Sequence, residues 1–227
     1  SDSMKKMLAL LLAVSMILGV MPVFASAADL GLKADKTYIV LAPGKFEDNG
    51  EWTTTVDNET TAGSNAGITY MIAGKDNHAT NSEAKTNVVL PADGEYKVYT
   101  FAKDFSSAPG SRYFDVRVGD AGSFRLGMHG ETGWRWESTE AFSASGGETE
   151  IAVIDSKGNY ARCAMIVITN DLSYNPGSTN DVINGLAEKQ YKPGDTTYTP
   201  VDETAGRPQS EIAVKLNGEW MKFDVDP

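Results

Sequence analysis

Between residues 38 and 169 short runs of strand-forming residues recur at intervals of roughly ten residues, each closed by a turn. The runs cover 38–41, 52–56, 68–73, 86–90, 96–102, 112–118, 123–126, 134–142, 148–155 and 160–169. The breaks are explicit: Ala92-Asp93-Gly94, Pro109-Gly110, Gly146-Gly147 and Ser156-Lys157-Gly158-Asn159. In 113–118 the residues Phe114, Val116 and Val118 share one strand face, and Asp115 and Arg117 share the other with Tyr113. Residues 151–154 and 165–168 are apolar on both faces and read as central strands. No amphipathic helix is written before residue 175. This pattern predicts an all-β fold, an antiparallel β-sandwich of jelly-roll type with a core that needs neither metal nor disulfide.

The two ends read differently from this middle. Ser1-Asp2-Ser3 precede Met4 as a vector-derived remnant, and a secretory signal follows. Lys5 and Lys6 give its positive region, 8–20 its apolar run, and Ala25-Ser26-Ala27 its small-residue cleavage site. Residues 1–28 are therefore set aside, and the sandwich is expected over 29–174. Residues 175–210 are rich in Pro, Gly, Thr, Asn and Asp and read as a linker, with a short helix over 181–190 capped by Thr179 or Asn180. Residues 211–227 carry Asn217-Gly218 between alternating runs, a strong hairpin signal. A lone hairpin is marginal in water, so it reads as the first piece of a further domain.

The formal net charge is −11. Affinity for nucleic acid and anionic membranes rests on Lys and Arg, so both are disfavoured as partners. The same balance works against long-range capture of polyanionic polysaccharides, although a local basic cluster can still hold one. Cys163 is the single cysteine and lies in an apolar run, which predicts a buried, inert thiol.

Catalytic chemistry is poorly supplied. His78 and His129 are the only histidines, far apart and in polar loops, and there is no HExxH or paired-Cys motif. Gly127, Gly130 and Gly133 evoke a phosphate loop by spacing, but the segment after them alternates like a strand, so they read as turn formers. The chain is expected not to be an enzyme. A structural calcium ion is the one cofactor considered. Glu47, Asp48 and Asp171 would offer it hard oxygen ligands, but without EF-hand-like spacing ordinary polar turns are the favoured reading of these residues.

Aromatic residues are more informative. Sugar recognition sets flat aromatic faces against the C–H surface of a pyranose, with polar groups on the hydroxyls. Trp134 and Trp136 share a strand face, and the loop before them carries His129 and Glu131, with Arg135 between the two. Trp52, Arg112 and Arg125 complete the candidate ligand site. The other reading of the tryptophans is core packing.

The order Gly50-Glu51-Trp52, Asp93 to Tyr99 (DGEYKVY), Pro109 to Val118 (PGSRYFDVRV), Gly133 to Glu137 (GWRWE), Asp155 to Gly158 (DSKG) and Arg162 to Asp171 (RCAMIVITND) resembles a β-sandwich family. It is the sandwich appended to xanthan-lyase-like and FAD-dependent-oxidoreductase-like secreted bacterial proteins, and more broadly it is similar to galactose-binding-like carbohydrate-binding modules. Only Trp52, Trp134, Trp136 and Arg162 match as positions, and no flavin-binding segment accompanies them. The stretch IAVKLNGEWMKFDVDP resembles the opening of the stalk domain named after the N-terminal domain of copper amine oxidases. It implies nothing about copper.

These resemblances imply a non-catalytic, secreted module, extracellular or cell-wall-associated, that attaches a larger protein to a polysaccharide or cell-surface glycan. It is expected to work as a monomer. The alternatives are a structural spacer or adhesion domain without a glycan site, and a polysaccharide-active enzyme.

Overall fold

The computed structural model describes residues 30–61, 64–73, 81–156 and 158–192, and the backbone of the strands within 213–222. The expected signal segment, and His78, lie outside the described residues. In chain order the strands are β1 (Tyr38–Leu41), β2 (Thr53–Val56), β3 (Thr69–Ile72), β4 (Glu83–Leu90), β5 (Gly94–Asp104) and β6 (Phe114–Val118). They continue as β7 (Gly122–Leu126), β8 (Gly133–Ser138), β9 (Phe142–Ala144), β10 (Gly147–Asp155) and β11 (Arg162–Thr169). The helix α1 (Asn180–Ala187) and the strands β12 (Ala213–Leu216) and β13 (Glu219–Lys222) follow.

The strands form two antiparallel sheets, as the alternation predicts. A seven-stranded sheet runs β2-β3-β11-β5-β8, with β1 also paired to β11 and β9 to β5. A four-stranded sheet runs β4-β10-β6-β7. Between them lies a core that includes Ile39, Val98, Phe114, Val116, Ile151, Val153, Ile166 and Ile168. In β6 the faces divide as expected: Phe114, Val116 and Val118 are buried, while Arg117 reaches Glu83 and Glu150 on the outer surface.

The seven-stranded sheet buries its outer face as well. Tyr38, Val40, Tyr99, Phe101, Met165 and Val167 pack there under Leu30, Leu32, Tyr174, Val182, Ile183 and Leu186. This is why β11 is apolar on both faces. Its register shifts between Cys163 and Met165, so that Cys163 stays in the inner core while Ala164 and Met165 both turn to the outer one.

Within the segment read as linker, the short helix expected near 181–190 forms as α1 and packs on the sheet. The side chain of Thr179 caps α1 by accepting from the Val182 amide. The helix lays Val182, Ile183 and Leu186 on the sheet. Gln190 then bridges to Val40 in parallel, the Tyr191 amide donates to the Val40 carbonyl at 2.8 Å, and the Tyr191 hydroxyl accepts from the Val89 amide at 3.1 Å. Polar composition suggested a linker here, but three apolar residues at helical spacing are enough to cover an otherwise wet sheet face. Further on, β12 and β13 pair antiparallel with Leu216 opposite Glu219; the expected Asn217-Gly218 turn lies outside the described residues.

Candidate binding cleft

The residues expected to bind ligand do not converge into one stacking surface. Trp52 is buried in the inner core, its ring edge-on to Phe114 and its indole N–H donating to the Ser82 carbonyl. Trp134 is only 5% exposed, stacked on Phe101 and met edge-on by Tyr70. Trp136 is half-buried against Phe101 and Tyr174, with its indole N–H given to the Gly177 carbonyl at 2.9 Å. The Trp-x-Trp face is thus covered by Tyr174 and Gly177, and Trp52 and Trp134 pack as core residues, the other reading that the sequence left for them.

The polar members scatter too. His129 accepts from the Glu131 amide through Nδ1 and donates from Nε2 to the Ala102 carbonyl at 3.0 Å, so both ring nitrogens serve the loop. Glu131 is exposed. Arg125 lies over the Tyr113 ring and pairs with Asp115 on the four-stranded sheet. Arg112 lies over the Phe105 ring.

The loop between β7 and β8 is nonetheless rigidly built. The Asp104 carboxylate accepts from the amides of Phe105, Gly110 and Gly130 and so ties two loops together. Glu137 accepts from the amides of Gly127 and Met128. Burial pushes the Glu137 carboxyl above its ordinary value, against the pull of those two amides. Gly127 has φ +80°, and a Cβ there would meet the Phe114 ring at 3.0 Å, so the turn needs glycine.

Beside this loop the structure opens a cleft of about 600 Å³. One wall is Thr132, Gly133, Trp134 and Arg135. The opposite wall comes from the β2–β3 loop through Glu59, Thr61, Ser64 and Asn65, and the end wall from Ser178, Thr179 and Asn180 at the start of α1. Asn65 Nδ2 donates to the Ser178 carbonyl at 2.7 Å, and Asn180 Nδ2 donates to the Ala66 carbonyl at 2.7 Å, so two walls are stapled to each other.

Under the cleft lies a charged network. The Asp57 carboxylate, 5% exposed, accepts from the Trp134 indole at 2.7 Å, from Lys103 Nζ at 2.9 Å and from the Glu59 amide at 2.8 Å. Lys103 also reaches Glu59 at 2.9 Å. Burial alone would raise the Asp57 carboxyl, but its three donors outweigh burial and hold it below the ordinary value. Burial would likewise lower Lys103, and its two carboxylate partners raise it instead.

The cleft therefore contains four residues of the segment expected to form the site, of which Trp134 and Arg135 were named as ligand residues. The β2–β3 loop and the start of α1 were missed. No local signal marks them, since their polar residues read as ordinary turn and linker chemistry until the fold brings them beside β8. The calcium reading gains no support: Asp171 is 1% exposed and accepts from Tyr38, Lys33 and Ser173, while Asp48 accepts from the Gly50 amide and Glu47 from Asn87. Among the described residues no three of His, Cys, Asp and Glu cluster as a metal site.

No family model and no curated protein matches the chain. Among solved structures it is similar to the C-terminal CBM6 of LamC, a marine laminarinase from Zobellia galactanivorans. There the identity is 14%, the match covers 59% of this chain and 99% of that one, and the TM-score is 0.44. It is also similar to a family 35 carbohydrate-binding module from Clostridium thermocellum, at 13% identity over 58% of this chain and 97% of that one, TM-score 0.41. A third is the CBM35 from Cellvibrio japonicus Abf62, at 12% identity over 62% and 100%, TM-score 0.40.

Proposed function

We propose that this chain is a non-catalytic carbohydrate-binding module that holds a polysaccharide in the cleft between Glu59, Arg135 and Asn180. The observation that supports it is the cleft itself: an open trough with polar walls, fixed before any ligand arrives. Sugar hydroxyls need donors and acceptors at set positions, and walls already stapled together lose little freedom when they bind. Glu59 and the Asn side chains offer acceptors, and Arg135, Thr132 and Ser64 offer donors. The cleft carries this reading; the weak likeness to named carbohydrate-binding modules adds nothing to it.

In this reading the module serves a secreted protein, attaching it to an extracellular or cell-wall polysaccharide. The residues at 4–27 have the order of a secretory signal, which supports secretion. Among the described residues no helix is long and apolar enough to cross a membrane. Burial of Trp52 and Trp134 favours a second reading, a structural spacer without a glycan site.

A glycan array probed with the full chain separates the two. Binding to a polysaccharide class, weakened by about tenfold in Arg135→Ala and Glu59→Gln proteins of unchanged melting temperature, supports the module. No retention on any glycan supports the spacer.

A further inference from the structure

Of the described arginines, Arg117 is paired with Glu83 and Glu150, and Arg125 with Asp115. Arg112, Arg135 and Arg162 have no ion pair with a carboxylate among the described residues, in a chain whose net charge is −11; Arg135 lines the cleft, and the other two lie elsewhere. Arg112 and Arg162 converge on one ring. The Arg112 guanidinium lies 4.0 Å from the Phe105 centroid and that of Arg162 5.5 Å from it. Phe105 follows the end of β5, Arg112 precedes β6, and Arg162 opens β11, so elements from both sheets bring the cluster together at one end of the sandwich.

All three side chains are half-buried rather than extended into solvent. Arg112 donates from Nη1 to the Ser111 hydroxyl and Arg162 from Nη1 to the Tyr160 carbonyl. Each is thereby fixed, while most of its five N–H donors stay free. A ring face holds a guanidinium through its quadrupole without using those donors. Two guanidiniums held against one ring concentrate positive charge there, and each can receive an oxyanion in forked geometry.

We propose that Arg112 and Arg162, positioned on Phe105, bind the oxyanion group of an acidic polysaccharide, a carboxylate or a sulfate ester. That the anion is carried on a sugar chain rests on the carbohydrate reading above. The site adjoins the cleft. Lys103 Nζ lies 5.7 Å from the Phe105 ring and 5.9 Å from the Trp134 ring, and the Ser106 amide, next to Phe105, donates to the hydroxyl of the cleft residue Thr132 at 3.0 Å. Lys103 is itself neutralised by Asp57 and Glu59, so the positive charge at the Phe105 ring is that of the two arginines.

The test is affinity electrophoresis of the full chain through gels holding polygalacturonate, dextran sulfate or neutral dextran. An acidic protein is repelled by both anionic polymers unless a local site captures it, so retention there is specific. We expect retention by one of the two, which also identifies carboxylate or sulfate, and a loss of about tenfold in R112Q/R162Q. Retention should fall as salt is raised. The paired-arginine variant R125Q should behave as wild type. If the double variant melts early, each single variant should still lose about threefold. Passage of wild type through both anionic gels, or undiminished retention of the arginine variants, overturns the site. Acidic retention that survives Arg135→Ala and Glu59→Gln but not R112Q/R162Q leaves the anion site standing and removes the cleft. Neutral dextran retained while both acidic polymers pass does the reverse.

Discussion

The Trp134 indole N–H donates to the Asp57 carboxylate at 2.7 Å, and this bond joins the two ends of the seven-stranded sheet. Trp134 lies on β8 and Asp57 just past β2, which terminate the sheet's strand order on opposite sides. The contact spans the outer face over Lys103 of β5, whose ammonium takes the same carboxylate oxygen at 2.9 Å. It also fixes the floor of the cleft, because Trp134 and Glu59 line that cleft on opposite walls.

Trp134→Phe should therefore be destabilising although it keeps the ring. It removes one donor from a carboxylate that is nearly inaccessible, and such a loss costs about 1–3 kcal/mol. Trp134→Ala also deletes the stack on Phe101 and should cost about 3–5 kcal/mol. Denaturant titration checks both. A Phe variant as stable as wild type would show that the indole bond contributes nothing net.

Acid should weaken the fold through the same network. Asp57 is held below its ordinary value, as is Asp171, where burial is outweighed by hydrogen bonds from Tyr38, Lys33 and Ser173. A depressed carboxyl contributes stability that is present above the unfolded value, about 4, and is lost as pH falls through the folded one. Glu137 has the opposite sign: its folded value is raised by burial, so it costs stability as pH rises above about 4. Melting temperature should drop below about pH 4 and drop less steeply in Asp57→Asn. Glu137→Gln should gain relative to wild type between pH 4 and 7. An Asp57→Asn profile parallel to wild type in acid would remove Asp57 from the account.

Much of the sandwich was legible because strand alternation is a local signal. In β6 the inward Phe114, Val116 and Val118 and the outward Asp115 and Arg117 follow from a period of two. The pairing of β12 with β13 was legible for the same reason, since Asn-Gly between alternating runs is a local hairpin signal. What covers a face is not local. The same apolar pattern in β11 fits a strand between two sheets and one between a sheet and a helix, and only the packing of Val182, Ile183 and Leu186 decides. The two readings of the tryptophans stayed open on that account, because Trp134 and Trp136 do share a face, and that face is roofed by Tyr174 and Gly177.

Cys163 should be unreactive in the native protein. It is 1% exposed in the inner core, and burial pushes its thiol up to about 12. The thiolate is the nucleophile, so almost none is present at neutral pH. Labelling by a thiol reagent at pH 8 should follow global unfolding and become immediate in denaturant. Rapid labelling without denaturant would mean that the bulge at Cys163 and Met165 opens locally.

The boundary of the folding unit offers the last test. The composition break after Asp171 suggests that residues 29–174 stand alone, whereas residues from Tyr174 to Tyr191 pack against the seven-stranded sheet. Ending the chain at 174 would uncover Tyr38, Val40, Met165 and Val167 and remove the partners of Trp136 and of the Val40 carbonyl. Full burial of an aliphatic side chain contributes about 1.5–3 kcal/mol, so loss of Val182, Ile183 and Leu186 alone approaches the stability of an ordinary domain. An apolar sheet face of that size is also an association hazard. Residues 29–192 should therefore melt cooperatively and run as a single species on size exclusion. Residues 29–174 should melt far lower or self-associate. If the shorter chain melts as the longer one does and stays monodisperse, α1 only rests on the sheet, and the outer face is stable without it.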